Sequence, residues 1–281
     1  MTLSFGVFLP PFGELAEPDR LVELAGVAER SGWDGLFLWD HILAAPGMAV
    51  ADPWVALSAV AAATERLRLG TMVTPLARRR PWVVARQAAT LDRLSHGRLV
   101  VGVGLGDDGW RELSSFGGEV VDPARRGRLL DESIEVLRRC WSGEAVDVEG
   151  ELLSVHAGPF LPQPVQDPLP VWVACIWPRT APLARAARHQ GCFPLLPQGN
   201  PPLFPDPGDV SAVREALGRH GAGPRVDIVC RGATGLVPEA DRAARLDELE
   251  SAGMTWWLDS YAPGEPAHEV VACVRAGPPR A

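Results

Sequence analysis

Short, continuously apolar runs alternate along the chain with longer stretches whose apolar positions recur every three to four residues. The first pattern fits a strand buried on both faces, the second an amphipathic helix. The chain begins with a strand over 3–9. A helix over 19–31 follows, with Leu21, Leu24, Ala25 and Ala28 on one face and Gly32 to end it. The second strand covers 35–39. Asp52-Pro53 then opens a helix to Thr64, an N-cap followed by proline at the first helical position. Strands over 67–74 and 99–103 precede helices over 81–94 and 123–141. Residues 144–160 break the alternation. Val146 and Val148, then Gly150, then Leu152, Leu153 and Val155 predict a small hairpin, and a proline-rich connector covers 159–170. Strands over 171–175, 192–196, 226–231 and 255–258 then alternate with helices over 180–189, 209–220, 241–252 and 266–275.

Eight strands, each followed by a helix, predict βαβ units and a parallel sheet. At 281 residues the chain has the length of a closed barrel. The expected fold class is therefore α/β, a (β/α)8 TIM barrel forming one domain over 1–281, with a short excursion between the fourth and fifth units. A doubly wound open sheet is the rival arrangement.

Composition narrows the chemistry. No apolar stretch approaches the ~20 residues that cross a bilayer, so no membrane role is expected. Met1-Thr2-Leu3-Ser4 lacks the basic start of a secretory signal. The net charge of −8 argues against a nucleic-acid partner. Cys140, Cys175, Cys192, Cys230 and Cys273 form no C-x-x-C pair and read as reduced thiols of a cytoplasmic protein. All 27 basic residues are arginine. Lysine Schiff bases and a Walker A loop are thereby excluded. Any phosphate must be held by arginine, backbone N–H groups or helix N-termini.

In a (β/α)8 barrel the chemistry sits at the C-terminal ends of the strands. That rule selects Trp39, Asp40 and His41 after the second strand, Thr71 to Thr74 at the third, and Gly104 to Trp110 at the fourth. It also selects Cys175, Trp177, Pro178 and Arg179 at the fifth and Pro194 and Gln198 at the sixth. Arg231 at the seventh and Trp257, Asp259 and Ser260 at the eighth complete the rim. This rim is rich in tryptophan, which suits a planar ring, and poor in metal ligands, so no metal is expected. His41 beside Asp40 is the most reactive pair. Gly104-Leu105-Gly106-Asp107-Asp108-Gly109 matches G-x-G-x-x-G literally, but two carboxylates would occupy the turn meant for a pyrophosphate. Thr180 can cap the helix after the fifth strand. With Arg179 it is either a phosphate seat or an ordinary cap. No G-x-S-x-G marks a nucleophile.

Several segments together resemble the luciferase-like monooxygenases. They are Trp39-Asp40-His41, the run from Gly70 to Pro75, and the run from Ala85 to Leu99. Gly102-Val103-Gly104, the connector from Pro159 to Gln166, Pro170 to Val173 and Ala184 to Arg188 complete the match. The resemblance implies an oxidoreductase barrel that binds FMN or coenzyme F420 at the strand C-termini. It acts on a small-molecule substrate by hydride transfer or oxygen insertion. A third-strand bulge with a non-proline cis peptide, carried over to Thr71, Met72 and Val73, would back the ring. Asp40 and His41 would lie beside it, with His41 the proton donor and Asp40 orienting it or touching the cofactor. Gly106, Asp107 and Trp110 match the residues after the fourth-strand glycines. Cys175, Trp177, Arg179 and Thr180 match the phosphate loop, although this chain lacks that loop's usual glycine-rich turn. A homodimer through helices is implied as well. A flavin-binding barrel without turnover and a hydrolase on the same barrel are the alternative functions.

Overall fold

The computed structural model describes residues 3–197 and 204–279; Met1, Thr2 and Gln198 lie outside them. Eight parallel strands close into a barrel: β1 (Ser4–Leu9), β2 (Gly35–Leu38), β3 (Arg68–Pro75), β4 (Leu99–Gly104), β7 (Val171–Ile176), β8 (Gly191–Leu195), β9 (Asp227–Gly232) and β10 (Trp256–Ser260). Ser4 pairs with Trp256 to complete the ring, so the open-sheet alternative does not apply. The excursion holds an antiparallel hairpin, β5 (Val146–Glu149) with β6 (Ser154–Ala157), within the expected segment.

Among the described residues eight helices cover the outside: α1 (Pro18–Arg30), α2 (Pro53–Ala63), α3 (Pro81–Leu94), α4 (Pro123–Trp141), α5 (Thr180–Ala186), α6 (Pro207–Arg219), α7 (Glu239–Ala252) and α8 (Ala267–Arg275). Asp-Pro pairs start three of them. Asp52 accepts from the N–H groups of Trp54 and Val55 at 2.9 Å each, Asp122 from Arg125 at 2.7 Å, and Asp206 from Gly208 at 2.7 Å. The Asp206 cap starts α6 two residues before the position expected from its apolar spacing. Among the described residues no helix is long and apolar enough to cross a membrane.

Each barrel strand sends a side chain inward: Phe8, Phe37, Met72, Val100, Trp172, Phe193, Val229, Trp256 and Leu258 form a cluster of their own. Three large rings meet there, Phe37, Trp172 and Trp256, with centroids 5.3 to 5.7 Å apart. A strand glycine makes room for them. A Cβ on Gly6 would stand 2.8 Å from Leu258 and 2.9 Å from Phe37. The lower barrel is thus filled, and Phe8, Met72 and Phe193 at the top of the plug become the floor of a cleft.

Both ends of the excursion are fastened to the barrel. Arg126 on α4 donates to the carbonyls of Leu105 and Gly106 at 3.2 and 2.8 Å. Asp92 on α3, fully buried, accepts from the N–H groups of Val165 and Gln166 at 2.7 and 3.0 Å and from the Gln166 amide at 2.7 Å. That amide also donates to the Leu99 carbonyl at 2.8 Å. The connector is therefore held against the start of β4 before β7 begins.

Candidate active site

The cleft at the C-terminal end of the strands has a volume of about 310 Å3. Its walls are largely apolar, with Trp39, Val73, Leu105, Ala174 and Ile176 above the floor. His41, Asp40 and Glu112 stand on one side, Arg179 and Arg231 on the other. Burial lowers the Arg231 guanidinium from its ordinary value.

The third strand carries the irregularity expected of it. The β3–β4 register shifts between Thr71 and Thr74, and the Met72–Val73 peptide is cis. Met72 and Val73 line the cleft, whereas Thr71 does not. The Thr71 hydroxyl lies 2.8 Å from that of Thr74, and Thr74 donates to Asp40 at 2.8 Å.

Asp40 is buried, and its carboxylate is bonded to groups other than the His41 ring. Its Oδ1 accepts from Arg79 at 2.7 Å and lies 3.4 Å from Arg78, while Oδ2 accepts from Trp54 at 3.3 Å as well as from Thr74. Two guanidiniums and two neutral donors fix this carboxylate, so it cannot also orient the histidine. That part belongs to Glu112. His41 Nδ1 lies 2.6 Å from Glu112 Oε2, and Glu112 Oε1 accepts from the N–H groups of Ile42 and Leu43 at 2.5 and 3.1 Å. Arg78 also reaches Glu112 at 3.2 Å and so joins the two acids. Burial alone would raise the Glu112 carboxyl. The hydrogen bonds from His41 and Ile42 and the charges of His41 and Arg78 outweigh it and hold the group below the usual carboxylate range. His41 Nε2 makes no hydrogen bond to a described residue. Trp110, Phe12 and Trp39 surround the imidazole at centroid distances of 4.7, 5.9 and 5.9 Å.

The loop after β4 puts Glu112 in place. Asp108 Oδ1 accepts from the N–H groups of Leu113 and Ser114 at 2.7 and 3.1 Å, and Asp107 from Gly109 at 2.7 Å. The two adjacent acids thus satisfy the backbone of their own loop. Arg111, immediately before Glu112, adopts φ +59°. Gly106 has φ +68°, and a Cβ there would lie 2.8 Å from Pro75. Glycine lets this backbone close over the cleft.

The fifth-unit residues divide. Arg179 lines the cleft; Cys175, Trp177 and Thr180 do not. Along β7 it is Ala174 and Ile176 that face the cleft. The alternating residue Cys175 points outward, where its sulfur lies 3.4 and 3.2 Å from the carbonyl oxygens of Val173 and Pro182, either of which can accept its one proton. Trp177 donates to Asp209 at 3.0 Å. Thr180 is the first residue of α5 rather than its cap; Arg179 holds the cap position, with no side-chain capping bond. Gly106 and Asp107 line the cleft, and Trp110 backs His41 instead. Of the sequence-selected residues, then, the cleft gathers Trp39, Asp40, His41, Met72, Val73, Leu105, Gly106, Asp107, Arg179 and Arg231. Glu112 also lines it and was missed, as were Arg78 and Arg79, which hold the two acids from behind. Glu112 lies two residues beyond Trp110 in a loop already selected. Among the described residues, no group of three or more His, Cys, Asp or Glu could hold a metal ion.

The description of the luciferase-like monooxygenase family matches residues 3–272. This chain belongs to the luciferase-like monooxygenase family. An uncharacterized protein of Mycobacterium tuberculosis is 41% identical over 128 residues, 45% of this chain and 43% of that protein. An F420-dependent glucose-6-phosphate dehydrogenase of Nakamurella multipartita is 36% identical over 174 residues, 59% of this chain and 49% of the relative. The matches thus span about half the length of these curated relatives. The coenzyme F420-dependent tetrahydromethanopterin reductase of Methanopyrus kandleri superposes with a TM-score of 0.77 at 17% identity, covering 99% of both chains, which is a likeness of fold. Luciferase-like proteins similar to this chain depend on coenzyme F420 or carry FMN.

The residues present fit such a cofactor. A planar ring suits the space between Trp39, Met72, Val73 and Leu105. The Trp39 indole N–H is buried in this wall with no partner among the described residues, an orphaned donor that a ring carbonyl would satisfy. Arg179 offers a guanidinium to a phosphate. Arg185 also lines the cleft, but its charge is committed to Asp131 at 2.6 and 2.8 Å.

Proposed function

We propose that this protein is an oxidoreductase that acts on a small organic substrate in the cleft, with FMN or coenzyme F420 as its redox partner and His41 as the group that moves the proton. The observation that carries this reading is the His41–Glu112 pair at the cleft edge, 2.6 Å apart. A Glu112 carboxylate accepts from Nδ1–H and so directs Nε2 away from itself. The neutral ring can then take a proton from a substrate hydroxyl at Nε2, and the charged ring can return one to a substrate oxygen. Glu112 holds the ring in one orientation through both transfers. Either cofactor, when bound, supplies a planar ring that accepts or donates a hydride. The apolar walls keep water from the reacting atoms.

Titration of the apoprotein with FMN, reduced FMN and F420, followed by absorbance and fluorescence, tests the reading. Saturable binding of one of them is expected. In the loaded enzyme His41→Ala should lower turnover far more than cofactor affinity. No binding of any cofactor would refute the assignment, and equal loss of binding and turnover would reduce His41 to a pocket wall. A homodimer through helices belongs to the same proposal, and sedimentation velocity would test it.

A further inference from the structure

A second pocket, of about 250 Å3, opens behind the arginines that hold Asp40. Arg78, Arg79, Arg80 and Arg125 line it together with a single acid, Glu119. Four guanidiniums gathered in a chain of net charge −8 repel one another, and Asp40 and Glu112 account for two of them only, Arg78 and Arg79. Arg80 lies over the Trp82 ring at 5.9 Å, and neither it nor Arg125 forms an ion pair with a described residue. Arg78 has only 5% of its side chain exposed, and its Nε, like that of Arg79, is buried without a hydrogen-bond partner among the described residues. The remaining wall is apolar, with Pro81, Leu129, Leu152 and Leu153.

We propose that this pocket binds a phosphoryl dianion, free or carried on a small organic body, at a site separate from the redox cleft. Guanidinium forks match the oxygens of a phosphoryl group two at a time, and Arg80 and Arg125 outnumber Glu119, so the lining stays net positive toward an anion. The volume is several times the ~30 Å3 share of one water molecule, so the site has room for more than a bridging water. The leucines would take the apolar part of a phosphate monoester.

Isothermal titration at low ionic strength with inorganic phosphate and with phenyl phosphate tests this on wild type, Arg80→Gln/Arg125→Gln and Arg179→Gln. Wild type should bind both in a 1:1 saturable manner. The double variant should weaken binding at least ~10-fold, as expected on losing two charge-assisted contacts, and Arg179→Gln should leave it unchanged. Tighter binding of phenyl phosphate would identify a monoester as the ligand; equal affinity would identify free phosphate. Absence of saturable binding to wild type, full affinity in a double variant that unfolds at the wild-type temperature, or loss in Arg179→Gln would each overturn the proposal. Arg80 and Arg125 are exposed, so the double variant should fold.

Discussion

Glu112→Gln removes one charge and almost no volume, which isolates what the carboxylate does. In the native site Glu112 accepts hydrogen bonds from His41 Nδ1–H at 2.6 Å and from two loop N–H groups, and pairs with Arg78 at 3.2 Å. The glutamine oxygen can keep the Ile42 and Leu43 contacts. Its amide nitrogen then faces the imidazole and donates to Nδ1, which forces the proton onto Nε2. Two charged interactions are lost or weakened, each worth ~1.5–3 kcal/mol. Part returns as neutral hydrogen bonds, so folding stability should fall by ~2–4 kcal/mol. The pH dependence has a definite sign. The folded carboxyl sits below its ordinary value of 4.5. Its contribution is therefore complete above that value and disappears as pH falls through the lower folded value. The gap between wild type and variant should be widest at neutral pH and close in acid. Urea denaturation across pH measures the gap, and long-range 1H–15N correlation of the histidine ring reports the tautomer. A His41 Nδ1–H that survives in the variant, or a gap that does not narrow in acid, would refute the arrangement described above.

Asp40→Asn leaves Arg79 without its ion-pair partner and Arg78 with Glu112 alone, and should cost ~3–5 kcal/mol; thermal unfolding should show a fall of ~10 °C or more, and a wild-type midpoint would contradict the cluster. His189 is pushed down to about 4 by burial and by the charges of Arg138 and Arg188. It is therefore neutral when folded, and wild-type stability should be complete above 6.5 and decline as pH drops from 6.5 toward about 4, by at most ~3 kcal/mol. His189→Gln should flatten that segment of the curve in denaturation experiments. A Cβ at Gly102 would run into the Thr71 carbonyl oxygen and the Met72 sulfur at the β3 bulge. Gly102→Ala should lower stability by ~3 kcal/mol or leave the protein insoluble; a wild-type unfolding midpoint would show that the bulge yields.

The barrel was legible because its signals are local. Apolar runs mark the strands, and proline after an acid marks helix starts such as Asp52-Pro53 and Asp122-Pro123. The missed start of α6 had the same signal at Asp206-Pro207, outweighed by apolar spacing read from Asp209. The rim rule reached His41, Met72, Val73 and Arg179 because position along a strand decides who faces the mouth. It could not give phase. Both faces of β7 are buried and apolar, so Cys175 and Ala174 look alike until the barrel closes. Nor could sequence pair His41 with Glu112, which lies 71 residues away. The neighbouring Asp40 was the nearer partner in the chain, but the guanidiniums of Arg78 and Arg79 draw its carboxylate elsewhere.

The paired fastenings of Arg126 and Asp92 bear on what the family can vary. Because β4 and the connector to β7 are clasped independently, the stretch between them hangs from two fixed posts. Its length and content can change without altering how β7 registers on β4. Extra residues grafted at the hairpin tip near Gly150 would remodel the wall that Leu152 and Leu153 give the second pocket and leave the barrel staves undisturbed.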